Sequence, residues 1–220
     1  MGVQDFIRKC FGPAFSWVAN TIGKINWTQK HPITEAEKAI IMEMLKKDYY
    51  IIMTRHGNHL STYAISLGNF LVRGKFSFWS HVLMNLEDEA QSPDDFRLVE
   101  AVGAGSRFAT FEDVFGDLSG LDAPDAAALL KPKNMSLDEW THVLDNAKTQ
   151  AGKPYDTLFD LADDTKVSCV ELVRDALMAS PTYEQDFAEF EAMIKKAKNL
   201  TPQMFYDCPD FEIAFEIRKK

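Results

Sequence analysis

The sequence predicts an α+β fold in which a central antiparallel sheet packs against helices. Along the chain, helical periodicity comes first, strand-like runs follow, helical periodicity returns, and a strand closes the sequence. This segregated order is typical of α+β proteins. In the last segment, "FEIAFEIR" at 211–218, large apolar residues alternate with Glu212, Ala214 and Glu216. Because successive side chains of a strand point to opposite faces, we expect its four large apolar residues to share one face: Phe211, Ile213, Phe215 and Ile217.

Three helix starts carry the pattern of a capping box, a Ser or Thr followed three residues later by Glu. These pairs predict helices over residues 34–50, 136–152 and 168–180. Apolar periodicity predicts further helices over 60–74 and 183–200, and a short turn of helix in "TFEDVFG". Apolar runs predict strands near residues 48–57, 78–87 and 95–103. Most of the stretch from 103 to 135 shows no clear period.

We expect residues 1–47 to form a helical extension and residues 48–220 to form the main domain. The first thirty residues contain many large apolar side chains, which would not stay exposed on a stable monomer: Phe6, Phe11, Phe15, Trp17, Val18 and Trp27. Their few charges are mixed in sign, whereas a membrane anchor usually has a stronger basic face. Residues 1–30 are therefore predicted to contact protein, either this domain or a partner subunit, and membrane contact is the alternative.

Composition argues against several classes of function. A net charge of −9 disfavours binding to nucleic acid through phosphate contacts. The three cysteines, Cys10, Cys169 and Cys208, are far apart and form no CxxC pair, which argues against a disulfide framework and against a zinc site. We expect no metal and no cofactor. No apolar run is long enough for a transmembrane helix or a signal peptide, so the expected location is the cytoplasm, or delivery by a phage particle.

Cys169 lies at a predicted helix start, in "KVSCVELV". Ser168 is a good N-cap and Glu171 completes the capping box, so Cys169 becomes the first residue inside the helix. The partial positive charge at a helix N-terminus favours a thiolate there. Free cysteine is also among the most buried residue types, so a core role is an equal alternative from this window alone.

A nucleophilic cysteine needs a base, and the base needs an orienting group. Of the five histidines, His81 differs because it begins an apolar strand in "WSHVLM". Glu100 lies inside another apolar strand, "RLVEAVG", where a carboxylate is costly unless it is paired. If these strands are neighbours, Glu100 orients the His81 ring as the acid of a catalytic triad does. The other four are expected on surfaces or in loops: His31, His56, His59 and His142.

The succession "SHVLM", "VEAVG", "GKPYDTLFDL", "SCVELV" and "LTPQMFYD" resembles the circularly permuted NlpC-type cysteine hydrolases, also called YiiX-like, which have a papain-like fold. The resemblance covers about residues 48–218, although the Pro-Gly-Asp that usually precedes the first strand is missing. It implies Cys169 as nucleophile, His81 as base and Glu100 as the third residue. It also places Tyr155 and Ser168 near the oxyanion or the substrate.

The resemblance implies acyl transfer at an amide or ester. Hydrolysis of an amide bond in bacterial cell-wall peptides is the first expectation, and the expected source is a phage genome or virion. An acyl-lipid or isopeptide hydrolase and a catalytically inactive structural protein with the same fold are the alternatives. Sequence alone does not choose among these substrates.

Overall fold

The computed structural model describes residues 31–86, 97–116, 123–156 and 160–219. Residues 1–30, for which protein contact is predicted, lie outside these ranges, and the boundary at residue 47 stays a prediction. The described helices are α1 (Glu35–Leu45), α2 (Leu60–Arg73), α3 (Phe111–Phe115), α4 (Leu137–Thr149), α5 (Cys169–Leu177), α6 (Tyr183–Asp186), α7 (Ala188–Ala197) and α8 (Pro202–Asp207).

Six strands form one antiparallel sheet in the order β4-β3-β2-β1-β5-β6. They are β1 (Ile51–Arg55), β2 (His81–Asn85), β3 (Leu98–Val102), β4 (Gly105–Ala109), β5 (Ala126–Pro132) and β6 (Phe211–Arg218). The combination of helices with an antiparallel sheet confirms the predicted α+β class. Helices α1, α4 and α5 begin at the predicted capping boxes.

The sheet is covered on both faces. Residues of α4 to α8 join one face in the larger core, which includes Met53, Val82 and Cys169. Residues of α1 and α3 cover the other face in a smaller core, which includes Ile52 and Leu83. Because neighbouring strand residues alternate between these two cores, β1 and β2 are buried on both faces.

The central position of β5, between β1 and β6, was not predicted. Its sequence, "AAALLKP", is small and continuously apolar, and Ala126 to Leu130 are all fully buried. A strand buried on both faces does not alternate, so its pattern gives no period-2 signal. β4 was also missed.

The prediction of a single apolar face on β6 was wrong. A register shift between Leu129 and Leu130 interrupts the pairing of β5 with β6. Phe211 belongs to the larger core, whereas Phe215 and Ile217 pack against the smaller core. An extra residue at a bulge reverses which side chains face each surface.

Two predicted helices have different bounds. The first ends at Leu45 rather than near residue 50, because the backbone N–H of Tyr50 donates to Asn85 Oδ1 at 2.5 Å and leads the chain into β1. The predicted helix over 183–200 is divided at Phe187, whose backbone is not helical (φ −122°, ψ 31°). The Phe187 side chain is fully buried.

Candidate active site

Cys169 occupies the first position of α5, as the capping box predicts. The N–H of Ser168 donates to Glu171 Oε2 at 2.7 Å, and the N–H of Glu171 donates to Ser168 Oγ at 3.4 Å. These two bonds fix where the helix begins and therefore where the thiol lies. The Cys169 residue is 4% exposed, and it packs in the core formed by α5 and the sheet.

His81 begins β2, where it pairs with Thr54 of β1. Its Nε2 lies 2.9 Å from Glu100 Oε2. The Cys169 side chain lies close enough to the same ring to raise its pKa, and the Glu100 contact leaves Nδ1 as the free ring nitrogen. The fold thus brings together three residues that are 19 and 69 positions apart along the chain.

Arg107 extends this chain of contacts, and the sequence analysis missed it. It lies directly opposite Glu100 in the pairing of β3 with β4. Its Nε and one terminal nitrogen donate to Glu100 Oε1 at 2.9 and 2.7 Å. The Glu100 side chain is 5% exposed, whereas that of Arg107 is 50% exposed. A hairpin turn recognised at residues 102–105 would have predicted the pair, since Glu100 and Arg107 are equally distant from it.

The ionisation of His81 and Glu100 follows from these contacts. Burial lowers the pKa of His81, but its bonds to Cys169 and Glu100 outweigh that effect and raise this pKa to about 10. Burial raises the pKa of Glu100, but His81 and Arg107 outweigh it and lower this pKa to about 2. Near neutral pH the site therefore holds an imidazolium beside an ionised carboxylate.

Tyr155 lies near the Cys169 thiol. A parallel bridge to Val167 holds it next to the start of α5. Burial raises the pKa of Tyr155 well above its usual value, and the nearby Cys169 and Glu171 raise it further. The phenol therefore stays protonated, and it lies close enough to the Cys169 side chain for that thiol to affect its pKa. A neutral phenol at this position is able to donate to the sulfur or to an oxyanion.

Ser168 is fully buried, and both its N–H and its hydroxyl belong to the capping box. A direct contact between Ser168 and a substrate stays a prediction. Burial raises the pKa of its partner Glu171 to about 7, although the bonds from Ser168 lower it, and the nearby Asp156 and Asp175 raise it again. Glu171, Asp156 and Asp175 thus lie near one another beside the start of α5.

The fold of this chain is similar to that of a solved protein structure. No protein-family model and no curated protein matches the chain. Among solved structures, the chain is similar to the metalloprotein yiiX from Escherichia coli O157:H7, with a TM-score of 0.55 and 18% sequence identity. The similarity covers 78% of this chain and 98% of the other. The fold is YiiX-like. At this level of identity the likeness concerns the fold alone.

That structural neighbour is described as a metalloprotein. We therefore asked whether side chains of this chain are placed to bind a metal ion. Within the described ranges, no group of three or more His, Cys, Asp or Glu is placed to hold a metal ion. The Glu100 oxygens already accept from His81 and Arg107. The described residues therefore do not fit a metal centre at this site.

Proposed function

We propose that this protein is a thiol-dependent acyl-transfer hydrolase in which Cys169 is the nucleophile. The observation that carries the proposal is the continuous chain of contacts from Cys169 through His81 to Glu100. A partly buried histidine between a helix-start cysteine and a buried carboxylate has the geometry of a nucleophile, a base and an orienting group. The papain-like fold and its circular permutation, with the His81 strand before the Cys169 helix, belong to the same proposal.

The mechanism assigns one role to each side chain. The Cys169 sulfur attacks the substrate carbonyl carbon while His81 holds the thiol proton. His81 then gives that proton to the leaving amine or alcohol, and the C–N or C–O bond breaks to leave a thioester on Cys169. A water molecule, deprotonated by His81, attacks the thioester, and the acid product leaves as the thiol is restored. Glu100 keeps the ring oriented and stabilises its protonated form.

The oxyanion that forms in each step requires donors that are already in place. The start of α5 presents backbone N–H groups that have no partner within the helix, and the positive end of the helix dipole favours negative charge there. The protonated Tyr155 hydroxyl supplies a second donor beside the sulfur. These groups support tetrahedral intermediates of acyl transfer at Cys169.

An amide in a bacterial cell-wall peptide is the substrate that we propose first. The resemblance of "SHVLM" and "SCVELV" to NlpC-type hydrolases favours it. It makes the protein a cysteine peptidase that reaches peptidoglycan through delivery by a phage particle, whereas a cytoplasmic location fits the lipid and isopeptide alternatives. No described helix is long and apolar enough to cross a membrane.

An acyl lipid is the second candidate, and one observation favours it. Exposed aromatic and aliphatic side chains of α2 and the following loop lie close in sequence to His81, including Phe70, which is 41% exposed, and Phe76, which is 65% exposed. Such a surface suits an amphiphilic substrate better than a soluble peptide.

The test is incubation of the full chain with purified peptidoglycan and, in parallel, with phospholipid vesicles, followed by mass spectrometry of the products. Cys169→Ala is the control in both arms. Stem-peptide fragments or free fatty acid that require Cys169 would identify the substrate class. A thioester adduct on Cys169, trapped with a reactive acyl probe, would support the chemistry independently. No adduct with any probe, and products equal to those of Cys169→Ala, would leave the inactive structural alternative.

A further inference from the structure

An apolar stripe runs along α2 and into the loop that follows it. It consists of Tyr63, Leu67 and Phe70 at helical spacing together with Phe76, and these residues are 49%, 50%, 41% and 65% exposed. The rings of Phe70 and Phe76 stack with their centroids 4.5 Å apart, which joins the loop to the helix. Four large, adjacent apolar side chains at this exposure form a patch that requires an explanation.

The stripe borders the end of the sheet that carries the candidate active site. The Tyr63 hydroxyl donates to the carbonyl of Gly57 at 3.0 Å, just beyond the end of β1. The N–H of His56 donates to Ser80 Oγ at 3.4 Å, and Ser80 directly precedes His81. At the other end of the stripe, Phe76 is five residues before His81. Both ends of the stripe are therefore tied to segments that flank the base.

The charge around the stripe differs from that of the whole chain. Residues 49–86 contain no Asp or Glu, although the chain has 33 acidic residues and a net charge of −9. The cations at the end of α2 are Arg73, which pairs with Asp207 at 3.1 Å, and the exposed Lys75. The stripe is thus an apolar surface with a weakly cationic margin on an acidic protein.

We propose that the apolar stripe docks onto the surface of a phospholipid bilayer. An amphipathic helix that lies in a bilayer interface buries large apolar residues and keeps cations at headgroup level. The stripe has these features, residues 49–86 contain no carboxylate, and the nearby Asp207 is neutralised by its pair with Arg73. Docking here would place the His81 end of the sheet next to the membrane. This membrane contact is distinct from the contact predicted for residues 1–30, because it involves α2 and the loop that follows it.

Charge also argues against covering of the stripe by the start of the chain. Residues 6–34 contain four Lys or Arg residues and no Asp or Glu. Asp5 is the one acid before Glu35, so both segments are predominantly cationic and do not complement each other electrostatically, whereas phosphate headgroups complement the margin of the stripe. The bilayer is therefore the occupant that fits the margin of the stripe.

The experiment is co-sedimentation of the full chain with vesicles of phosphatidylcholine alone and with vesicles that also contain phosphatidylserine. We expect binding to the first and tighter binding to the second. Leu67→Asp and Phe76→Asp should each weaken partitioning roughly tenfold, because each removes apolar burial and adds a charge that headgroups repel. Leu137→Asp is the matched control, since Leu137 is 69% exposed on α4, and it should bind like the wild type.

The following results would overturn membrane docking by the stripe or assign the contact to another surface. Equal binding by Leu67→Asp, Phe76→Asp and the wild type would overturn the proposal, as would absence of binding to either vesicle. Binding lost on deletion of residues 1–30 and retained in Leu67→Asp would assign the membrane contact to that segment instead. A dimer in light scattering that Leu67→Asp converts to monomer, without vesicle binding, would make the stripe a contact between copies. Thermal unfolding by circular dichroism checks that each variant is folded.

The proposal does not rest on the proposed hydrolase activity. Vesicle binding is measured without turnover, and Cys169→Ala should bind as tightly as the wild type. Weak binding by Cys169→Ala would tie the lipid contact to the thiol site and overturn the assignment to the stripe.

Discussion

Cys169 and Cys208 are nearly equally buried free cysteines, but their surroundings differ. They are 4% and 3% exposed, and both belong to the larger core. Cys169 begins a capped helix and contacts His81 and Tyr155. Cys208 ends α8 in an extended conformation and accepts the N–H of Asp210 at 3.5 Å. Burial raises the pKa of the Cys208 thiol to about 12, although the N–H of Asp210 lowers it.

The comparison teaches that burial does not decide what a cysteine does. Desolvation opposes a thiolate at any buried site, and only a nearby cation or donor reverses that preference. Cys169 lies near the His81 imidazolium, whereas Cys208 lies near carboxylates such as Asp210 and Glu189. Both thiols lie in the larger core, so only these neighbouring groups distinguish them.

The largest expected effect separates the two thiols directly. Cys169→Ala should lower turnover by at least about 10³-fold, because the covalent intermediate is lost. Cys208→Ala should leave turnover within about twofold and lower the free energy of unfolding by roughly 1 kcal/mol, since it removes only buried packing. Steady-state kinetics and urea unfolding measure the two effects. Loss of turnover in a folded Cys208→Ala protein would reverse the comparison.

The second prediction concerns the base. Because the pKa of His81 is raised to about 10, its ring stays positive through neutral pH and stabilises negative charge on the adjacent sulfur. His81→Ala should therefore slow alkylation of Cys169 by iodoacetamide at pH 7 by about tenfold or more. Alkylation of Cys208 should stay slow in both proteins. Peptide mass spectrometry after timed quenching gives both rates from one sample, and faster labelling of Cys208 than Cys169 in the wild type would contradict the assignment.

Acid titration tests the carboxylate. Since the pKa of Glu100 is lowered to about 2, its ionised form stabilises the native state above its ordinary value near 4.5, and this stabilisation is lost as pH falls from there through about 2. The free energy of unfolding of the wild type should therefore decrease across this window by an amount on the order of 2–3 kcal/mol more than that of Glu100→Gln. Urea titrations at several pH values measure the difference. Parallel curves for the two proteins would show that Glu100 is not held by His81 and Arg107.

The smallest expected effect concerns Arg107, which acts on the site only through Glu100. Arg107→Ala should raise the pKa of Glu100 toward its ordinary value and lower turnover about threefold to tenfold, because a half-exposed ion pair contributes modestly. Arg107→Lys should lower turnover less than Arg107→Ala does, because lysine keeps the positive charge but cannot donate two hydrogen bonds to Glu100 in the geometry of a guanidinium. The acidic limb of the pH–rate profile reports the change. An unaltered limb in Arg107→Ala would make Arg107 a surface residue only.

Several features of the fold were predictable because they depend on local physics. The capping boxes of α1, α4 and α5 were predicted from two residues each, since the bonds that they form span only three positions. The strands that carry His81 and Glu100 were predicted from short apolar runs. The central strand β5 could not be read from its sequence, because Ala126 to Leu130 face protein on both sides and show no alternation.

By itself, the sequence determined that Cys169 begins a helix and that His81 and Glu100 interrupt apolar strands. Those properties depend on neighbours along the chain. Only the tertiary structure decided that His81 lies between Cys169 and Glu100, that Arg107 holds Glu100 from β4, and that Cys208 is buried beside acids. Such contacts depend on strand order, register and one bulge. These are set by how the whole sheet buries its two faces, because a shift of one residue would turn every side chain to the other side.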